Sequence, residues 1–183
     1  QAFEALNSGT RLRIGSETLT GTWEALREGR ADLIVAAGEG PAGGGHKAVA
    51  VGQLDFVFCV TASHPLARLG RPLARSDLLE HTAVVEGDGA RSLTDRTVGL
   101  LTGQRRITVP SMQAKIECQA AGLGHGFVPR ACVRVELETG VLVELAVEEP
   151  RPPMVARAPQ PPTAAGHTAL LKTALQRKEA GPW

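Results

Sequence analysis

The chain has 183 residues, and its 20 Lys and Arg against 19 Asp and Glu leave a formal net charge of +1. That balance excludes a nucleic-acid binder working through a one-sided surplus of cations, and an aromatic content of 3% without any Tyr gives stacking platforms for single strands or sugars little to be built from. A hydrophobic fraction of 43% with 21% charged residues suits a packed core of one domain or two small lobes, not a disordered chain.

Residues 1–7 read as the tail of a helix (Phe3, Leu6), and residues 11–16 alternate polar and apolar (Leu12, Ile14) with the period of a strand. Thr18, Thr20 and Gly21 open a helix over 22–28, in which Trp23 and Leu26 share a face and Gly29 stands where a left-handed cap is wanted. An apolar run over 31–37 reads as a buried strand, so strand, helix and strand form a parallel unit that points to an α/β fold. A glycine-rich loop over 38–45 leads into one long extended segment over 48–60, interrupted at 52–55, and Ser63, His64 and Pro65 break it.

Ser76 and Asp77 start a helical turn through Leu79, residues 82–86 form a strand, and Gly87 to Gly89 a turn. Ser92 with Asp95 three residues on resembles a capping box for a helix over 93–101, closed by Gly103. Residues 106–109 are a strand. Pro110 and Ser111 introduce a helix through Ala121, with Met112, Ile116 and Ala120 on one face and Gly122 as its stop. Phe127 and Val128 make a short strand ended by Pro129, residues 141–147 another, and the proline-rich stretch 150–162 an edge strand over 154–158 at best, because proline removes ladder donors. A helix over 164–177 closes the chain.

Gly38, Gly40 and Gly43 satisfy G-x-G-x-x-G after a strand, but the next segment reads as strand where a dinucleotide fingerprint must open a helix. No cofactor is expected. The five His are dispersed, without i, i+4 pairs or a neighbouring Cys set, so no metal site is expected either. No Ser lies in G-x-S-x-G, and the chain reads as non-catalytic. Cys59, Cys118 and Cys132 are odd in number, lack C-x-x-C spacing and sit in apolar runs, which fits reduced thiols in the cytoplasm. The longest apolar runs, 33–37 and 56–60, fall far short of the ~20 residues of a membrane helix, and no signal peptide is expected.

What remains is a set of hydroxyls at helix starts, Thr18, Thr20, Ser92 and Ser111, where unpaired N–H groups and the positive dipole end favour a carboxylate. Plain helix capping is the ordinary role of each alone. Arg91, just after the 87–89 turn, has the fork to pair a bound anion.

The run WEALREGRADLI over 23–34, SHPLA over 63–67 with SDLL over 76–79, and AAGLGHGFVP over 120–129 followed by GVLV over 140–143 resemble, in order and spacing, the effector-binding domain of LysR-type transcriptional regulators. The resemblance implies a two-lobed α/β fold like that of type II periplasmic binding proteins, with two crossover strands and an inducer cleft. One lobe is residues 1–57 plus 153–183, the other 58–152. It further implies that the fold is N-terminally truncated, with a strand and helix start belonging before Gln1, and that DNA is bound only through a winged helix-turn-helix missing from this chain.

Family inducer contacts carried onto matching positions fall on Thr18 and Thr20, Ser63 and His64, Glu86 to Asp88, Ser111 and Met112, and Pro129. The implied partners are a small-molecule inducer, anionic and a carboxylate, and a second copy of the chain in a homodimer or tetramer. Two other readings stay open: a transporter's solute-binding protein, which shares the fold, and a nucleotide-dependent enzyme working through the Gly38 loop.

Overall fold

In a computed structural model, residues 9, 11–38, 47–91 and 98–160 are described. The expected helices over 1–7 and 164–177, most of the glycine loop and the Ser92/Asp95 box lie outside them.

Helix α1 (Thr20–Arg27) begins two residues earlier than its apolar pattern suggests. It ends as expected at Gly29, whose φ of 71° lets the Arg30 N–H return 2.8 Å to the Ala25 carbonyl. Its apolar face, Trp23 and Leu26, packs on Ile34 and Ala36. The strand expected over 11–16 pairs with no described strand, and Leu12 and Ile14 are exposed. Alternation alone does not make a ladder without a partner. Of the run 31–37 only β1 (Ala36–Ala37) pairs, and it does so antiparallel, so the expected early parallel unit is not found among the described residues.

The long extended segment is real: β2 (Lys47–Leu54) runs into β3 (Phe56–Thr61) with only Asp55 between them, and the two join different sheets. A 3-10 turn over Pro65–Arg68 follows, and helix α2 (Arg75–Leu79) takes its N-terminal bond from Asp77, which accepts 2.8 Å from the Ala74 N–H. Next come β4 (Ala83–Glu86), β5 (Arg106–Val109), helix α3 (Met112–Ala120) and β6 (Gly126–Pro129), close to expectation. The helix expected over 93–101 does not reach its end: residues 98–101 are not helical, and Gly99 has φ 76°. A 3-10 turn over Arg130–Cys132 and helix α4 (Arg134–Glu138) were not anticipated, and β7 (Leu142–Glu144) is shorter than its apolar run.

Strand β8 (Met154–Gln160) corrects the edge-strand expectation, because it lies between β1 and β2. Ala156 and Arg157 pair with both neighbours, while Pro159 lies past the end of β1 and is matched only to Ala48 of β2. The prolines bracket the doubly paired residues instead of interrupting them.

The second sheet has order β6-β3-β7, all antiparallel, and an Ala83–His125 bridge joins it to the parallel pair β4 and β5. Alternation along β3 gives this sheet two different faces. Val57 and Cys59 pack against Ile116 of α3, Val128 and Leu142, whereas Phe58 and Val60 pack against Leu66 and Leu73 on the other side. Each fully buried aliphatic side chain contributes roughly 1.5–3 kcal/mol, so both faces help to hold β3 in the centre.

Candidate functional site

Parallel strands place ligands at their carboxyl ends. The chain leaves β4 at Glu86 and β5 at Val109, so Glu86 to Asp88 and Ser111 with Met112 emerge at one edge of the sheet. Ser111 caps α3, its Oγ accepting 3.2 Å from the Ala114 N–H. Glu86 accepts a backbone bond from Met112 and is half-buried. Burial raises its carboxyl above the ordinary value, while the Lys115 ammonium, the Met112 N–H and Arg151 pull the other way.

Lys115, in the second turn of α3, is 5% exposed. Burial first, and then the neighbouring Arg151, push its ammonium down to about 8 against the pull of Glu86. Arg151, on the crossover before β8, lies 3.7 Å from the centre of the Phe56 ring and donates 3.2 Å to the Met154 sulfur. Pro129 is buried opposite Phe56, which places it beside this group.

The start of α1 meets the loop after β4 from the other sheet. The Gly21 N–H donates to Asp88 Oδ1 at 3.2 Å, and the Gly89 N–H to the Thr18 carbonyl at 3.2 Å. The approach is close: a Cβ on Gly21 would lie 2.6 Å from the Gly89 carbonyl carbon. Leu19, at the N-cap, takes φ 46°, a strained value for a branched residue, and makes no side-chain cap bond. The buried Thr20 hydroxyl has no partner. Arg91 is exposed, and its backbone N–H donates 2.6 Å to Oε2 of the fully buried Glu24. Glu24 in turn lies 3.9 Å from Arg27 and 4.0 Å from Arg30.

Thr18, Thr20, Glu86, Asp88, Arg91, Ser111, Met112 and Pro129 therefore belong to one region, from the start of α1 through the β4 loop to α3. Ser63 and His64 do not. His64 caps the 3-10 turn, its Nδ1 accepting 3.2 Å from the Leu66 N–H, and its ring packs 4.9 Å from His81 and 6.5 Å from His125. His125 stacks on Phe58, on the face of β3 turned away from α3.

A cavity of about 180 Å³ opens on that second face, lined among others by Phe58, Leu78, Gln104, His125 and Phe127. Of its polar atoms, the Gln104 amide and the His125 Nε2 both reach the Leu78 carbonyl, and the His125 Nδ1 is the one buried there without a partner among the described residues. The α3 region has the less committed polar groups. Among the described residues no group of His, Cys, Asp and Glu could hold a metal ion, and no helix is long and apolar enough to cross a membrane.

Sequence reasoning missed Glu24, Lys115, Gln119 and Arg151. A charged or amide side chain on the inner face of an otherwise amphipathic helix was the available signal for the first three. Nothing local marks Arg151.

Two three-stranded antiparallel sheets, the second bridged to the parallel pair β4 and β5, are joined by extended crossovers and define a two-lobed α/β fold with polar groups facing each other where α1 meets the β4 loop. Residues 1–168 match the LysR substrate binding domain family, and the chain belongs to that family. It is 38% identical over 148 residues to the uncharacterized HTH-type transcriptional regulator YeeY of Escherichia coli K12, covering 80% of this chain and 48% of that protein. The chain thus spans about half the length of this relative. The regulatory domain of MetR, a LysR family regulator from N. meningitidis, shares the fold at a TM-score of 0.70 and 18% identity, over 97% of this chain and 84% of that one. So does the BenM effector binding domain solved with its effector benzoate, at 0.67 and 18%, over 97% and 82%.

Proposed function

We propose that the chain is the inducer-sensing part of a bacterial, cytoplasmic transcription regulator and performs no catalysis. A small carboxylate metabolite binds where the lobe of residues 1–57 plus 153–183 meets the lobe of residues 58–152. Lobe arrangement is then relayed through a homodimer or tetramer to a DNA-binding winged helix-turn-helix elsewhere in the full protein. The observation that carries this reading is the meeting of the α1 start with the β4 loop and α3 start through Gly21, Asp88 and Glu86. An effector that binds one lobe arrangement better shifts the population by that difference alone. Family membership favours a regulator over a transporter's solute-binding protein.

Thermal unfolding of the chain against carboxylates, aromatic acids, amino acids, nucleotides and uncharged metabolites tests it. A ligand at a hundred times its dissociation constant adds about 2.7 kcal/mol, which moves the midpoint of a domain this size by roughly 5–10 °C. A shift that shrinks in Ser111→Ala supports the sensor reading. Silence across the whole panel, or hits with nucleotides alone, counts against it.

A further inference from the structure

Lys115 is the least expected charge in the molecule. The residue is 5% exposed, yet among the described residues its side chain makes no hydrogen bond and no contact ion pair. A buried ammonium is retained against a desolvation cost that only an anion close by offsets. The charges that face it are Glu86 from the end of β4 and Arg151 from the crossover before β8, and Cys132 of the 3-10 turn faces Glu86 in turn. Two cations thus share one carboxylate, and that carboxylate is already engaged by the Met112 N–H.

A second group points to the same place. Gln119, one turn along the same face of α3, is fully buried, and both atoms of its amide lack partners. The two side chains converge on Gly126, where an added Cβ would stand 3.1 Å from Gln119 Nε2 and 3.3 Å from Lys115 Cε. Helical side chains lean toward the N-terminus, so both are directed back toward Ser111 and the carboxyl ends of β4 and β5.

We propose that Lys115 and Arg151 together seat one carboxylate group of the effector, so that the site selects small monoanions over their uncharged counterparts. This deepens the effector-binding reading and rests on it. The anion stabilises the protonated ammonium, so binding takes up a proton wherever free Lys115 has begun to titrate, above about pH 8. Affinity accordingly weakens as the pH rises through that region.

The test compares benzoate, pyruvate and acetate with benzamide, pyruvamide and acetamide, in the wild-type chain and in Lys115→Met and Lys115→Arg. We expect at least one acid to raise the unfolding midpoint while its amide does not. Lys115→Met should weaken that acid about tenfold or more, as loss of a charge-assisted bond does, and Lys115→Arg should restore part of it. Calorimetry of the wild-type chain in buffers of different ionisation enthalpy, between pH 8 and 9.5, should show uptake of roughly half a proton or more. Amides that bind as well as acids, an undiminished response in Lys115→Met, binding without proton uptake, or no response to any acid each overturns the assignment. A response confined to uncharged metabolites would leave the sensor reading standing without it.

Discussion

The backbone N–H of Gly21 donates to Oδ1 of Asp88, 67 residues away, at 3.2 Å, and the same oxygen accepts from the Ala90 N–H at 3.0 Å. One carboxylate thereby holds the start of α1 against the loop after β4 and orders that loop. The position suits a negative charge, since a helix N-terminus carries unpaired donors and partial positive charge.

Asp88→Ala is expected to cost roughly 1–2 kcal/mol through loss of these bonds. Asp88→Asn, which keeps an acceptor, should cost less. Urea unfolding at neutral pH measures both, and equal losses in the two variants would argue against the hydrogen-bonding account.

Gly21→Ala meets backbone, with 2.6 Å to the Gly89 carbonyl carbon, so neither side has a flexible end to move aside. The two segments must part. Amide exchange at Gly89 and Arg91 should accelerate, because their N–H groups are bonded to the Thr18 carbonyl and the Glu24 carboxylate across this contact. Gly29→Ala, with open space around it but φ 71°, should lose about 1 kcal/mol of stability while leaving those amides protected.

His125 gives the chain a predictable acid limit. Burial pushes its imidazole down to about 4, helped by His64 and His81 and opposed by its bond to the Leu78 carbonyl. The folded state therefore stays neutral there while the unfolded chain takes up a proton near pH 6.5. The associated stability is complete above that value and is lost as pH falls from 6.5 toward 4, on the order of 2–3 kcal/mol in all. Midpoints of urea unfolding from pH 4.5 to 7.5 should slope less steeply in His125→Gln than in the wild type.

Lys115 shows the opposite balance of stability and role. Its ammonium is depressed to about 8 when folded and is ordinary when unfolded, so below about pH 8 its burial opposes folding in full, and the penalty fades as pH rises from about 8 to 10.5 and is gone above that. Lys115→Met should raise stability at pH 7 by on the order of 1–3 kcal/mol. A destabilised Lys115→Met chain would mean that the ammonium has a structural partner.

The thiols should separate by accessibility. Cys59 is fully buried, and burial pushes its thiol up to about 12, whereas Cys132 is exposed. An alkylating reagent at pH 8 should label Cys132 in the native chain and reach Cys59 only on unfolding, as peptide mass spectrometry reads directly.

Where local signals agreed with packing, the sequence was legible. Ser111 and Gly122 bracket α3, and the residues of β5 read as a strand because Ile107 and Val109 alternate with polar neighbours. The failures share a cause in long-range pairing. Residues 11–16 alternate as convincingly as β5 but have no described partner, and β8 hides in a proline-rich stretch because its doubly paired residues are only Ala156 and Arg157. The candidate site was half legible. Hydroxyls and turns near Thr18, Asp88 and Ser111 could be flagged from local grammar, but Lys115 on a helix reads as solvated until the fold shows what covers it. His64 lies apart from this region, after the far end of β3 from Phe56 and Pro129, with its ring beside His81 and His125.

An effector bound between the α1 start, the β4 loop and the α3 start must slow amide exchange in those segments. Hydrogen exchange of the chain, with and without the first compound that raises its unfolding midpoint, tests that placement most directly. Added protection is expected at residues 18–21, 86–91 and 111–116, with little change around 61–66. Protection confined to the cavity beside Leu78, Gln104 and His125 would contradict it.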